Sequence, residues 1–263
     1  PLTTCLIYGE NDWRCFLIAF GVTAITGGAM AFTIHPSTPS MGKREGFLLT
    51  ALVRVFFSAF GMLPFMFMEN QPLSVSDAFF EAMSGFTTTG ATIMKSISHL
   101  SHGAVIWRSV MQWIGGMGII LFTLAVIPML NHSGGMQMFN AEVTGITHDK
   151  LRPRISQTAK SLWLIYITLT VILFILLIIG PMEGFDALCY SFSIMSTGGF
   201  ATSDEGLGLW KSDYIEVVAT FFMFIGGVSF SLIYRAVHRD FRTVWGNDVF
   251  RTYLGVIAAC YVI

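Results

Sequence analysis

Two apolar segments, 77–86 and 186–195, are too short to cross a bilayer, yet each lies between longer apolar stretches and runs directly into a polar, glycine-containing sequence. At 1.5 Å of helical rise per residue, about ten residues reach about 15 Å. That is half of a hydrocarbon core about 30 Å thick. The first segment continues as Thr87-Thr88-Thr89-Gly90-Ala91-Thr92 and the second as Ser196-Thr197-Gly198-Gly199-Phe200. No basic stop comes after either one, which favours a chain that enters the membrane halfway and turns back, rather than a buried core helix. Irregular backbone survives at that depth only where it lines a cavity or is buried in protein, because lipid cannot satisfy its N–H and C=O groups.

The rest of the sequence supplies the membrane setting. Hydrophobic residues make up 54% of the 263, charged residues only 12%, and the mean hydropathy is +0.66. Soluble domains carry about 25% charge. Five stretches, 15–34, 47–68, 104–130, 158–180 and 214–237, are long enough to span, given that about 20 residues suffice. Cys5, Cys15, Cys189 and Cys260 are scattered and the six His show no ligand spacing, which argues against a disulfide or zinc framework. No Ser/Lys, paired-Asp or His/Glu constellation sits in the spans, so no enzyme is expected, no cofactor and no nucleic-acid partner. The sequence opens on Pro1 with no recognisable signal peptide and closes within an apolar run; it reads as an excerpt of a longer chain.

The order of span, half-helix, polar loop and span occurs twice, over 47–130 and 158–237, and details echo between the copies. Pro64 and Pro181 end the first spans, and Asp77 and Asp186 open the half-helices, where an Asp can cap free amides. Ile114-Gly115-Gly116 and Ile225-Gly226-Gly227 lie midway along the second spans. The segments between units, 35–46, 131–160 and 235–252, hold ten of the fifteen basic residues, and the opposite side holds eleven of the sixteen acids, Glu81 and Asp204 among them. The Lys/Arg bias places the basic side in the cytoplasm. The polar loops then enter from outside, where acidic residues concentrate cations.

A half-helix followed by Thr-Gly is what a potassium filter requires. The ion must exchange its water for oxygen dipoles at little net cost, and rows of backbone carbonyls provide them. Aligning carbonyls takes backbone angles that Gly tolerates, and Thr adds a hydroxyl. Thr89-Gly90 and Thr197-Gly198 are therefore the matched candidates, with the partially negative C-terminal ends of the half-helices facing the ion. Arg54 reads as a snorkelling side chain, and Arg108 as an anchor of the interface or of the filter surround.

The run Asp77-Ala-Phe-Phe-Glu-Ala-Met-Ser-Gly-Phe-Thr-Thr-Thr-Gly-Ala-Thr92 closely resembles the first pore loop of the Trk/Ktr/HKT potassium-uptake superfamily, specifically its TrkH type. So does Trp107-Arg-Ser-Val-Met-Gln-Trp-Ile-Gly-Gly-Met-Gly-Ile119, while Ser196-Thr-Gly-Gly-Phe-Ala-Thr202 is similar to the second pore loop. Asp149-Lys-Leu-Arg-Pro-Arg154, with Thr158-Ala-Lys160, resembles the linker between units. The resemblance implies an all-α membrane fold with potassium-channel-like repeats, four in the complete chain around one pseudo-fourfold pore. On that template, 1–46 is part of an extra helix pair, 47–130 the first pore repeat, 131–157 a cytoplasmic linker, 158–249 the second repeat with its following cytoplasmic segment, and 250–263 the start of a third. It also implies Thr88, Thr89, Gly90, Ser196, Thr197 and Gly198 as ion ligands, with Gly at position 90 favouring potassium over sodium. Potassium uptake across the bacterial cytoplasmic membrane, a homodimer, and a cytosolic nucleotide-binding regulatory ring of the TrkA type are further implications. A secondary cation symporter with broken helices and a non-conducting scaffold remain as alternatives.

Overall fold

Residues 1–33, 43–131 and 155–262 are described in a computed structural model, and the only regular structure among them is helix. A short helix α1 (Leu2–Tyr8) turns at Gly9 into the long apolar helix α2 (Trp13–Thr33). The first repeat comprises α3 (Lys43–Gly61), α4 (Leu63–Met66), the half-helix α5 (Val75–Phe86) and α6 (His102–Asn131). The second has α7 (Ile155–Ile179), the half-helix α8 (Gly184–Met195), a 3-10 turn at Gly206–Trp210, α9 (Asp213–Gly226) and α10 (Phe230–Val237). Two more helices complete the described chain, α11 (Phe241–Trp245) and α12 (Asp248–Val262). The expected linker 131–157 lies mostly outside the described residues, and α7 begins at Ile155 rather than at the expected boundary of 158.

Both half-helices have 12 residues. Each sits at the centre of its own packed cluster, the arrangement that lets a short helix end inside a bundle. Around α5 the buried side chains include Phe65, Ala78, Ala82 and Met111; around α8 they include Leu177, Ala187, Ile215 and Phe222. Helix α5 lies against α3 and α6, and α8 against α7, α9 and again α6. The outward faces of α2, α3 and α7 carry exposed Phe20, Ile25, Phe56, Ile172 and Ile179. In lipid such faces need no further cover. There, packing and hydrogen bonds hold helices together, since apolar burial no longer removes surface from water.

Three expectations are corrected. Asp77 and Asp186 are not the caps of the half-helices: Ser74 and Glu183 are, which puts each Asp two places inside the helix start. The Ser74 hydroxyl accepts from the Asp77 N–H at 3.3 Å, an N-cap bond, and donates to the Asp77 carboxylate at 2.8 Å. Pro64 does not end the first span. That helix stops at Gly61, and Pro64 lies in the first turn of α4, where its missing N–H costs nothing. The stretch 214–237 is not one continuous helix either, because α9 and α10 meet at a bend of 103°. Gly226-Gly227 weakens the helix there, and Ser229, in N-cap position, starts the next one.

The two units share a latch. In the first, the Tyr166 hydroxyl of α7 donates to the Trp113 carbonyl of α6 at 3.1 Å. In the second, the Tyr253 hydroxyl of α12 donates to the Phe224 carbonyl of α9 at 3.3 Å. Each Tyr reaches in beside a glycine: a Cβ on Gly116 would stand 3.0 Å from the Tyr166 oxygen, and one on Gly227 2.5 Å from that of Tyr253. The paired glycines of the sequence are thus notches. Their first members lie against the half-helix ends, Gly115 on the Phe86 carbonyl and Gly226 on the Met195 carbonyl.

Candidate functional site

Each half-helix ends in the same way. Thr87 N donates to Met83 O at 2.9 Å, Thr88 N to Gly85 O at 3.0 Å and Thr89 N to Ser84 O at 2.9 Å. Ser196 N donates to Phe192 O at 3.2 Å, Thr197 N to Ile194 O at 2.9 Å and Gly198 N to Ser193 O at 2.9 Å. This crossed pair of bonds is a Schellman ending, which places the residue after the cap in the left-handed region, a position usually given to Gly. Here the residue is Thr88, with φ of 54°, and Thr197, with φ of 52°. A β-branched side chain at positive φ is a backbone outlier, and this one occurs at equivalent places in both loops.

Two residues further on, the chain turns through positive φ again, at Gly90 (77°) and Gly199 (85°). The backbone therefore matches Thr88 to Thr197, Thr89 to Gly198 and Gly90 to Gly199. The sequence suggests the Thr-Gly dipeptides as counterparts, one residue out of this register. The reason is mechanical: the loops are pinned to the helix ends by hydrogen bonds, so position is counted from the helix and not from the dipeptide.

The two loops touch at their glycines. A Cβ on Gly90 would collide with the Gly198 carbonyl oxygen and stand 3.4 Å from the Gly199 Cα. Gly90 is thus required twice, by its φ and by the approach of the second loop's backbone. A Cβ on Gly198 would run into the side-chain amide of Gln112, while Gly199 faces open space. Thr89, Thr197 and Gly199 are exposed, whereas Ser196 and Gly198 are buried. Of the six residues expected as ligands, Ser196 is turned inward: its hydroxyl donates back to the Phe192 and Ser193 carbonyls at 2.8 and 3.0 Å. The Thr87 and Thr89 hydroxyls are 2.8 Å apart.

Behind the loops is a buried charge pair that the sequence did not reveal. Glu81 of α5, an acid expected on the outer face, is 0% exposed and accepts from Arg108 Nε of α6 at 2.8 Å. The Thr92 hydroxyl donates to the Glu81 carboxylate at 3.0 Å, and the Ile93 N–H does so at 3.0 Å. Arg108 Nη2 reaches the Thr92 hydroxyl at 3.1 Å and Nη1 the Ala201 carbonyl of the second loop at 3.4 Å, while the guanidinium carbon stands 4.1 Å over the Phe200 ring. One turn along α6, Gln112 Oε1 accepts from the Ser193 hydroxyl at 2.8 Å and from the Phe200 N–H at 3.2 Å. Arg108, expected as an anchor of the interface or of the filter surround, is buried behind the two loops and bonded to both. A Glu inside an apolar half-helix was the available signal.

On the exposed side, Asp204 joins the loops again. Its carboxylate accepts from Ile97 N–H and from the Ser96 hydroxyl, both at 2.7 Å. These bonds, with the Ile97 amide first, hold its pKa below the ordinary carboxylate value. Among the described residues no group of His, Cys, Asp and Glu is arranged to hold a metal ion. The oxygens on offer to an ion are backbone carbonyls and Thr hydroxyls.

Comparison with known proteins agrees with this architecture. The profile of the TrkH family, described as cation transport protein, matches residues 14–259. The Trk system potassium uptake protein TrkH of Escherichia coli K12 is 38% identical over 258 residues, covering 97% of this chain and 53% of that protein. TrkG of the same organism is 32% identical, covering 91% of this chain and 49% of its own length. The crystal structure of the potassium transporter TrkH from Vibrio parahaemolyticus superposes with a TM-score of 0.85 at 31% identity, over 99% of this chain and 53% of that one. The chain thus spans about half the length of these relatives. With its duplicated half-helices and loops, it belongs to the TrkH family of cation transport proteins.

Proposed function

We propose that this chain provides two of the four repeats of a potassium-uptake pore in the bacterial cytoplasmic membrane. The filter in this reading is built from Thr88, Thr89 and Gly90 in the first loop and Ser196, Thr197 and Gly198 in the second, with Gly199 added as the counterpart of Gly90. The observation that carries the reading is the repetition of one strained backbone path in two loops that meet at Gly90 and Gly198. A strained Thr kept twice is a sign of use, and carbonyl-lined passages are how proteins dehydrate potassium selectively. The half-helix C-termini add partial negative charge behind the loops.

No covalent step and no cofactor enter this scheme. The membrane potential supplies about 2.3 kcal/mol per 100 mV for each monovalent cation, enough to drive accumulation. The basic side faces the cytoplasm and the loops face outward. The units in this reading are 1–46, 47–130, 131–157, 158–249 and 250–263. A homodimer and a cytosolic nucleotide-binding ring complete the assembly in this proposal.

The deciding experiment is cation flux through the purified full-length protein in proteoliposomes, comparing potassium or rubidium with sodium. Gly90→Ser should lower the potassium preference; an unchanged ratio removes Gly90 from the filter. The bend of 103° between α9 and α10 favours a second reading, a symporter with a discontinuous helix. Strictly coupled, saturable flux without single-channel currents would establish that alternative.

A further inference from the structure

Helix α6 carries Arg108 and Gln112 one turn apart, so both side chains leave the same face. That face points at the two loops together. Arg108 takes hold of the first loop at Thr92 and the second at Ala201; Gln112 takes hold of the second loop at Phe200 and of its half-helix at Ser193, whose carbonyl accepts from the Gly198 N–H. Both are buried, Arg108 at 1% and Gln112 at 0% exposure.

We infer that Arg108 and Gln112, with Glu81 and Thr92, are positioning residues for ion discrimination: they fix the separation of the Gly90 and Gly198 backbones. The inference rests on the filter reading above and adds to it the parts that set the width.

The chemistry favours this over simple helix packing. A buried ion pair contributes little net stability compared with well-packed apolar side chains. What it offers is direction, because a guanidinium presents its donors in a rigid planar fork. Here each nitrogen of the fork makes a bond: Nε to Glu81, Nη2 to Thr92 and Nη1 to Ala201. It therefore ties a half-helix, its own loop and the neighbouring loop to one rigid body. Gln112 is held by two donors, the Phe200 N–H and the Ser193 hydroxyl, which fix its oxygen toward the second loop. Its Nε2 has no hydrogen-bond partner among the described residues. The Gly198 Cα rests directly against the same amide, so moving Gln112 frees the second loop to shift.

The test uses the full-length protein in planar bilayers or proteoliposomes and reads the potassium-to-sodium permeability ratio. Thr92→Val keeps the side-chain shape and removes the hydroxyl that links Glu81 to Arg108. Gln112→Met keeps the volume and removes the acceptor. Each should lower the ratio roughly three- to tenfold, the scale of one lost hydrogen bond in a charged or buried network. Thr92→Ser restores the hydroxyl and should keep the native ratio, which packing alone does not predict. A native ratio in Thr92→Val overturns the brace at the first loop, and a native ratio in Gln112→Met overturns it at the second. A loss in Thr92→Ser as large as in Thr92→Val overturns the role of the hydroxyl. Gly90→Ser, measured in parallel, reports separately on whether these loops are the filter.

Discussion

Thr88 and Thr197 stand where helix endings ordinarily place Gly, and a left-handed conformation costs a residue with a side chain about 1–2 kcal/mol. Thr88→Gly should therefore raise the unfolding free energy in detergent by about 1 kcal/mol, while lowering potassium-over-sodium discrimination by removing the hydroxyl. Thermal unfolding and flux on the same preparation give both numbers. A destabilised Thr88→Gly protein would show that the Thr is not strained. At this scale the sequence was partly legible. Thr-Gly after a half-length helix marked both loops, but it paired the wrong glycines, because identical dipeptides are not identical distances from a helix end. The Glu81–Arg108 pair was not legible as a pair: the partners are 27 positions apart and belong to different elements.

The half-helices and their duplication were readable from length alone, since about ten apolar residues cannot span. The broken helix was not. Ile114-Gly115-Gly116 and Ile225-Gly226-Gly227 look alike, yet α6 continues through its glycines and α9 stops at them. The residues just beyond each glycine pair decide the outcome: Met117 continues the first helix, whereas Val228 and then Ser229 come after the second pair. Val is a weaker helix former than Met, and Ser is at home as a cap. Between elements, the Tyr166 hydroxyl should be worth about 1 kcal/mol through its bond to the Trp113 carbonyl. Tyr166→Phe, which keeps the ring, should lower the thermal midpoint accordingly, and an unchanged midpoint would make the latch a packing contact only.

Across the whole molecule, the two repeats are joined behind the loops by Arg108 and Gln112 and in front of them by Asp204. The front clasp is exposed and titratable. The folded pKa of Asp204 is depressed, so its contribution is present above the ordinary carboxylate value of about 3.9 and is lost as pH falls through the folded value. Asp204→Asn should flatten the acid side of the stability profile between those two points and leave neutral-pH selectivity to the buried brace. An acid limb identical to that of the parent would remove the clasp from the fold's pH response.

The tyrosine latches also say something about biosynthesis. Tyr166 belongs to the unit made after the helix whose carbonyl it binds, and Tyr253 to the segment made after α9. A ribosome releases each donor only when its acceptor helix is already complete. The notch at Gly116 stays open until α7 has been threaded into the bilayer, and the notch at Gly227 until α12 has joined it. The earliest moment at which each latch can close therefore follows the order of translation, the Tyr166 latch before the Tyr253 latch.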